Sequence, residues 1–164
     1  MKRDQNDYVS TIYDEKRAPK TDYPKQLISY LSKRFNLENN IEILELGCGR
    51  CDILFEFQNA GFGCKGLDRE ISSVQNEYGL EVKHCDIAND VFPYDDESFD
   101  VVYHKSVLEH IYDPENLMGE TIRILKPGGK LIILTPDWHT QWKNFFEDFT
   151  HSRPYDVMSL SDLL

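Results

Sequence analysis

No apolar run in the 164 residues exceeds a few positions, with Leu131-Ile132-Ile133-Leu134 among the longest. A helix that crosses a bilayer needs about 20 apolar residues, so none is expected. The opening Met1-Lys2-Arg3-Asp4-Gln5-Asn6-Asp7 lacks the apolar centre of a secretory leader. Positive charge is short as well. Eighteen Lys and Arg against 29 Asp and Glu leave a formal net charge of −11. That argues against a dedicated nucleic-acid binder, whose affinity comes from neutralising phosphates. Cysteine is sparse at four. Cys48 and Cys51 form a C-x2-C pair, but Cys64 and Cys85 stand alone. His84 and Cys85 are tandem neighbours that point apart on a strand, so neither a zinc site nor any other metal site is expected. Reduced, partly buried thiols fit a reducing compartment. What remains is one acidic, soluble, cytoplasmic globular domain, long enough to bury roughly 70% of its unfolded surface.

Charge is uneven along the chain. Residues 1–40 carry a net charge of +2 and residues 41–164 a net charge of −13. The basic excess comes from Lys16, Arg17, Lys20, Lys25, Lys33 and Arg34. Tyr8, Ile12 and Tyr13 share a helical face, Ala18-Pro19-Lys20 breaks it, and Leu27, Ile28, Leu31 and Phe35 predict an amphipathic helix over 23–36. Residues 1–40 therefore read as an N-terminal helical cap and 41–164 as the main domain. The basic residues of the cap serve either as a solvated face or, with Tyr13 and Tyr23, as a lid.

The main domain alternates strand and helix. Ile41 to Leu46 predicts a buried strand that runs into Gly47-Cys48-Gly49. Asp52 is placed to cap a helix over Ile53 to Ala60, ended by Gly61. Strands follow at Cys64 to Asp68, Leu80 to Ile87, Phe99 to Tyr103 and Lys130 to Thr135. Helices are predicted over Ser72 to Tyr78 and, capped by Asp113, over Pro114 to Leu125. Pro127-Gly128-Gly129 reads as a tight turn. This rhythm predicts an α/β fold, a doubly wound, mostly parallel sheet covered on both faces. Ligands of such sheets bind outside the carboxyl ends of the strands, where strand order reverses.

Glycines at 47 and 49 allow a sharp turn and close approach of a ligand to the backbone. Asp68 closes the second strand 21 residues after Gly47, placed to accept hydrogen bonds from ribose hydroxyls. Dinucleotides and S-adenosylmethionine both use this geometry. The third glycine of the dinucleotide fingerprint would fall at position 52, which is Asp. A carboxylate there opposes a pyrophosphate and tolerates the cationic sulfonium and amine of S-adenosylmethionine. Asp52 equally serves as a simple helix cap. Asp86 is placed to meet an adenine amino group with Ile87 packed on the base, or else is a surface acid that ends a strand.

These residues resemble the class I S-adenosylmethionine-dependent methyltransferases, nearest the small-molecule subgroup that includes quinone-ring and sugar-modifying enzymes. The resemblance is carried by Leu44-Glu45-Leu46-Gly47-Cys48-Gly49, Gly66-Leu67-Asp68, Cys85-Asp86-Ile87 and Phe92-Pro93-Tyr94-Asp95-Asp96-Glu97-Ser98-Phe99-Asp100. It continues through Ser106-Val107-Leu108-Glu109-His110 and Arg123-Ile124-Leu125-Lys126-Pro127-Gly128-Gly129. It implies a Rossmann-like methyltransferase fold with S-adenosylmethionine as cofactor and S-adenosylhomocysteine as product. Glu45, Gly47, Cys48 and Gly49 would line the methionine and ribose side, Asp68 the ribose, and Asp86 with Ile87 the adenine. His104 and Lys105 would face cofactor and substrate.

Two departures stand out. The family usually has glycine where Cys51 stands. Its sheet also ends in an antiparallel edge hairpin, whereas this sequence stops at Ser161-Asp162-Leu163-Leu164. The hairpin is expected to be missing and the chain shortened, which exposes the fifth strand to pairing with a second copy or to cover by 138–164. His110 is the first candidate base, with Lys105 and Glu109 behind it. His110 equally reads as a structural histidine, with catalysis by alignment alone. Trp138, Trp142, Phe145, Phe146, Phe149, His151 and Tyr155 form either an acceptor wall or core packing. The expected activity is methyl transfer to a small-molecule or lipid- or sugar-linked acceptor. The alternative is a module that binds the cofactor without catalysis, and a nicotinamide-dependent oxidoreductase is a third reading.

Overall fold

Ile43, Leu44 and Leu46 are wholly buried because their strand lies mid-sheet with helices on both faces. The computed structural model describes residues 19–71 and 78–164. The strands are β1 (Glu42–Leu46), β2 (Gly63–Asp68), β3 (Glu81–His84), β4 (Phe99–Lys105) and β5 (Leu125–Leu134). They pair in the order β3-β2-β1-β4-β5, all parallel. Strand order reverses between β1 and β4, at the glycine turn, the position outside the carboxyl ends of the strands where ligands of such sheets bind.

The helices are α1 (Tyr23–Phe35), α2 (Asp52–Asn59), α3 (Glu115–Ile124), α4 (Trp138–Gln141) and α5 (Val157–Leu163). Ile28 and Leu31 of α1 and Phe57 of α2 pack on Ile43, Val101, Tyr103 and Ile132. Leu117 and Ile124 of α3, Leu108 and Tyr155 pack on the other face, against Leu44, Leu46 and Val102. Helix α1 shares the sheet's core, so the second half of the expected cap belongs to the same packed unit. The first half of that cap, including Tyr8, Ile12, Tyr13, Lys16 and Arg17, lies outside the described residues, as does most of the helix expected from Ser72.

Several boundaries differ for local reasons. β3 stops at His84. Cys85 still donates to Asp68 O at 2.9 Å, but Asp86 then enters a turn whose backbone N–H is taken by the Asp90 carboxylate. The Pro127-Gly128-Gly129 turn sits inside β5. The register passes from Phe99↔Leu125 to Val101↔Lys130, and Gly128 at φ 79° absorbs the extra length as a bulge. Asp52 is the first residue of α2 and not its cap. Cys51 holds the cap position with φ 64°, and the Asp52 carboxylate takes the Arg50 Nε–H at 2.8 Å. Asp113 does act at the start of α3, accepting from Glu115 N at 3.1 Å.

Candidate functional site

The chain leaves β1 through Gly47 at φ 66° and Gly49 at φ 49°. Gly47 and Cys48 donate to Leu67 O at 2.8 and 3.3 Å, which ties the turn to the end of β2. Gly49 N–H donates to Asp68 Oδ2 at 2.7 Å, and Glu70 N–H to Asp68 Oδ1 at 2.8 Å. The Asp68 carboxylate is thus turned onto the glycine loop, with a lone pair left on each oxygen. A Cβ on Gly47 would lie 2.6 Å from Val107 Cγ2, so the loop after β4 rests on this glycine.

Glu45 is buried beneath the turn, and its Oε2 has no hydrogen-bond partner. Burial raises its carboxyl well above the usual carboxylate range, helped by nearby Cys51 and Asp68, while the Leu54 N–H and Lys105 pull the other way. His104 is fully buried with both ring nitrogens unpartnered, and burial lowers it to about 4. Buried polar atoms left unpaired beside the glycine turn have the chemistry of a site that a polar ligand completes. Cys48 and Cys51 bring their sulfurs within 3.7 Å. All four cysteines are free thiols. The Cys51 sulfur and burial together hold Cys48 protonated.

The remaining expected residues take separate places. Asp86 closes a local turn, accepting from Ala88 N at 3.2 Å and Asn89 Nδ2 at 3.2 Å, and the Ile87 carbonyl is held by Asn116. Lys105 extends to the α1 side of the sheet, its ammonium 5.6 Å from the Tyr23 ring. His110 lies on the opposite side, in the short 3-10 turn Leu108–His110. The two expected catalytic residues are therefore not neighbours. His110 Nδ1 is 2.9 Å from Thr150 Oγ1, and burial lowers its basicity.

Sequence reasoning missed how Glu109, His110 and His151 come together. Ser152 and Arg153 donate to Glu109 O, at 2.8 and 3.2 Å, and zip the segment after β5 onto the turn after β4. The available signal was that both segments leave the same rim. The aromatic cluster divides. Phe145 and Tyr155 are core, whereas Trp142, Phe146 and Phe149 are exposed.

A profile of the methyltransferase-domain family matches residues 13–164. A sterol 4-C-methyltransferase of Caenorhabditis elegans is 30% identical over 141 residues, which cover 77% of this chain and 42% of that protein. A ubiquinone biosynthesis O-methyltransferase of Maricaulis maris is 28% identical over 102 residues, covering 58% of this chain and 40% of that one. The chain thus spans about two-fifths of the length of these curated relatives. Among solved structures, a SAM-dependent methyltransferase from Archaeoglobus fulgidus superposes with a TM-score of 0.71 at 21% identity, covering 94% of this chain and 71% of that one. The Haemonchus contortus phosphoethanolamine N-methyltransferase 2, solved with S-adenosyl-L-methionine, gives 0.73 at 16% identity, covering 98% and 43%. With its Rossmann-like sheet and its loop-facing acid, the chain belongs to the methyltransferase-domain family of class I, S-adenosylmethionine-dependent enzymes.

Proposed function

We propose that this chain binds S-adenosylmethionine at the β1–β4 crevice and transfers its methyl group to a small-molecule or lipid- or sugar-linked acceptor. The observation that carries the reading is the Asp68 carboxylate held on Gly49 N–H at 2.7 Å, beside the buried, unpartnered Oε2 of Glu45. Bound S-adenosylmethionine supplies a methyl group activated on a sulfonium. The chain's own residues then orient and exclude water. Asp68 holds two ribose hydroxyls, Glu45 faces the amine, and Gly47, Cys48 and Gly49 offer backbone at close range. Ile87 and Asp86 border the adenine, and His104 lies beneath. His110 is the first candidate to take an acceptor proton, and Lys105 is the second.

The Glu45 environment gives a signed prediction. Burial raises its carboxyl well above the usual carboxylate range, which favours the protonated form in the free protein. A cationic amine alongside favours the ionised form, so binding releases a proton and affinity rises with pH. Calorimetry with S-adenosylhomocysteine in buffers of different ionisation enthalpy should detect up to one proton released, and Glu45→Gln should abolish the release. Labelled-methyl transfer from S-adenosylmethionine into fractionated small-molecule and lipid extracts tests the whole reading. Binding without transfer to any fraction would favour the non-catalytic module.

Self-association is part of the reading. Among the described residues no strand pairs with the outer edge of β5, and Leu131 to Leu134 line a groove of about 370 Å³ between α1 and α5. An apolar edge of this kind invites a second strand. Light scattering should show a dimer that forms with concentration. A monomer throughout would remove this part of the proposal.

A further inference from the structure

Above β4 and β5 lies a cluster with buried polar atoms that cofactor binding leaves unused. Glu109 is fully buried. Its Oε2 accepts from Thr135 Oγ1 at 3.0 Å, but its Oε1 is buried without a hydrogen-bond partner. A buried carboxylate served by one neutral hydroxyl lacks a counter-charge.

Two imidazoles stand beside it with their outer nitrogens already committed. His151 Nδ1 is 2.6 Å from the Phe145 carbonyl oxygen, which can only accept, so Nδ1 carries the proton. Thr150 Oγ1 gives its hydrogen to Asp148 Oδ1 at 2.6 Å and therefore accepts from His110 Nδ1. Each ring is left with its lone pair on Nε2. The rings pack edge to face with centroids 4.7 Å apart. A histidine whose second nitrogen donates to a carbonyl, or to a hydroxyl backed by a carboxylate, has the outer-shell arrangement typical of metal ligands.

One donor atom from each of Glu109, His110 and His151 lies within 4.8 Å of the other two. Ligand atoms on a shared ion at roughly 2.1 Å stand roughly 3–3.5 Å apart, so these groups need close by only an ångström or so. We propose that Glu109, His110 and His151 bind a first-row divalent transition-metal ion, zinc being the reference case. Two imidazoles and one carboxylate suit zinc, cobalt or ferrous iron better than magnesium or calcium, which prefer all-oxygen cages. Three protein ligands leave a coordination position for water or an acceptor oxygen. The inference stands on these two segments and not on the methyl-transfer reading.

The chelator-stripped chain is titrated with Zn²⁺ by calorimetry and with Co²⁺ by visible absorption. One equivalent per chain is expected, with a nitrogen and oxygen ligand spectrum and no thiolate charge-transfer band. Cys48→Ser with Cys51→Ser should keep this uptake. Glu109→Gln and His151→Ala should each weaken Zn²⁺ binding about 100-fold. Zn²⁺ should raise the melting temperature of the wild type and not of either variant. If His151→Ala does not fold by circular dichroism, Glu109→Gln decides alone. No stoichiometric uptake, a thiolate spectrum, or undiminished uptake by Glu109→Gln would overturn the site. S-adenosylhomocysteine calorimetry on Glu109→Gln should match the wild type, so failure of the metal site stays distinct from failure of the cofactor site.

Discussion

Replacing Asp68 with alanine is expected to raise the dissociation constant for S-adenosylhomocysteine about 100-fold. The carboxylate has two tasks. It takes Gly49 N–H through Oδ2 and Glu70 N–H through Oδ1, which fixes the glycine loop against the end of β2. Its remaining lone pairs are the acceptors assigned to the ribose hydroxyls. Hydrogen bonds to a charged group are each worth about 1.5–3 kcal/mol, so losing two at the low end of that range, about 3 kcal/mol, gives the effect stated. Asp68→Asn should lose less, because the amide keeps one oxygen to accept. Calorimetry on both variants, with circular dichroism to establish folding, reads the difference. Unchanged affinity in Asp68→Ala would remove the ribose assignment.

Arg123→Ala is expected to lower stability by about 2–4 kcal/mol, on the order of 5 °C or more in melting temperature. This guanidinium reaches Glu120 twice, Asp96 once, and the carbonyls of Phe92 and Tyr94. Glu120 in turn accepts from Phe92 N at 2.7 Å. Together they clasp the 92–96 segment onto α3 and hold Phe92 in the core. Arg123→Lys should recover little, since an ammonium lacks the planar fork. Arg123 holds Glu120 below its usual value of 4.5. A depressed carboxylate stabilises the fold above that value and loses its contribution as pH falls through its folded value. Wild type and variant should therefore converge in chemical denaturation at low pH. A gap that stays constant down to acid unfolding would assign the loss to packing alone.

Sequence legibility followed the range of the interactions. The glycine turn could be read directly because it is a short-range backbone demand, and so could the place of Asp68 at the end of the second strand. The usual glycine at position 51 also has a local cause, since the backbone there is left-handed at φ 64° and Cys51 carries a side chain through it. The bulge in β5 was not legible, because Pro127-Gly128-Gly129 has the same residues whether it ends a helix or kinks a strand. Asp52 was read as a helix cap and instead pairs with Arg50, while Asp86, read as an adenine contact or a strand-end acid, closes a local turn through the Ala88 and Asn89 amides. The encounter of His110 with His151 depends on Glu109 O binding a segment more than 40 residues away, which no local pattern reports.

The contact between Gly47 and Val107 couples the two walls of the crevice mechanically. Val107 Cγ2 fills the space that a Cβ at Gly47 would need, so the two loops pack directly on one another. A side chain at position 47 would therefore have to push Val107 aside, so Gly47→Ala is expected to disturb the loop after β4 together with the glycine turn itself.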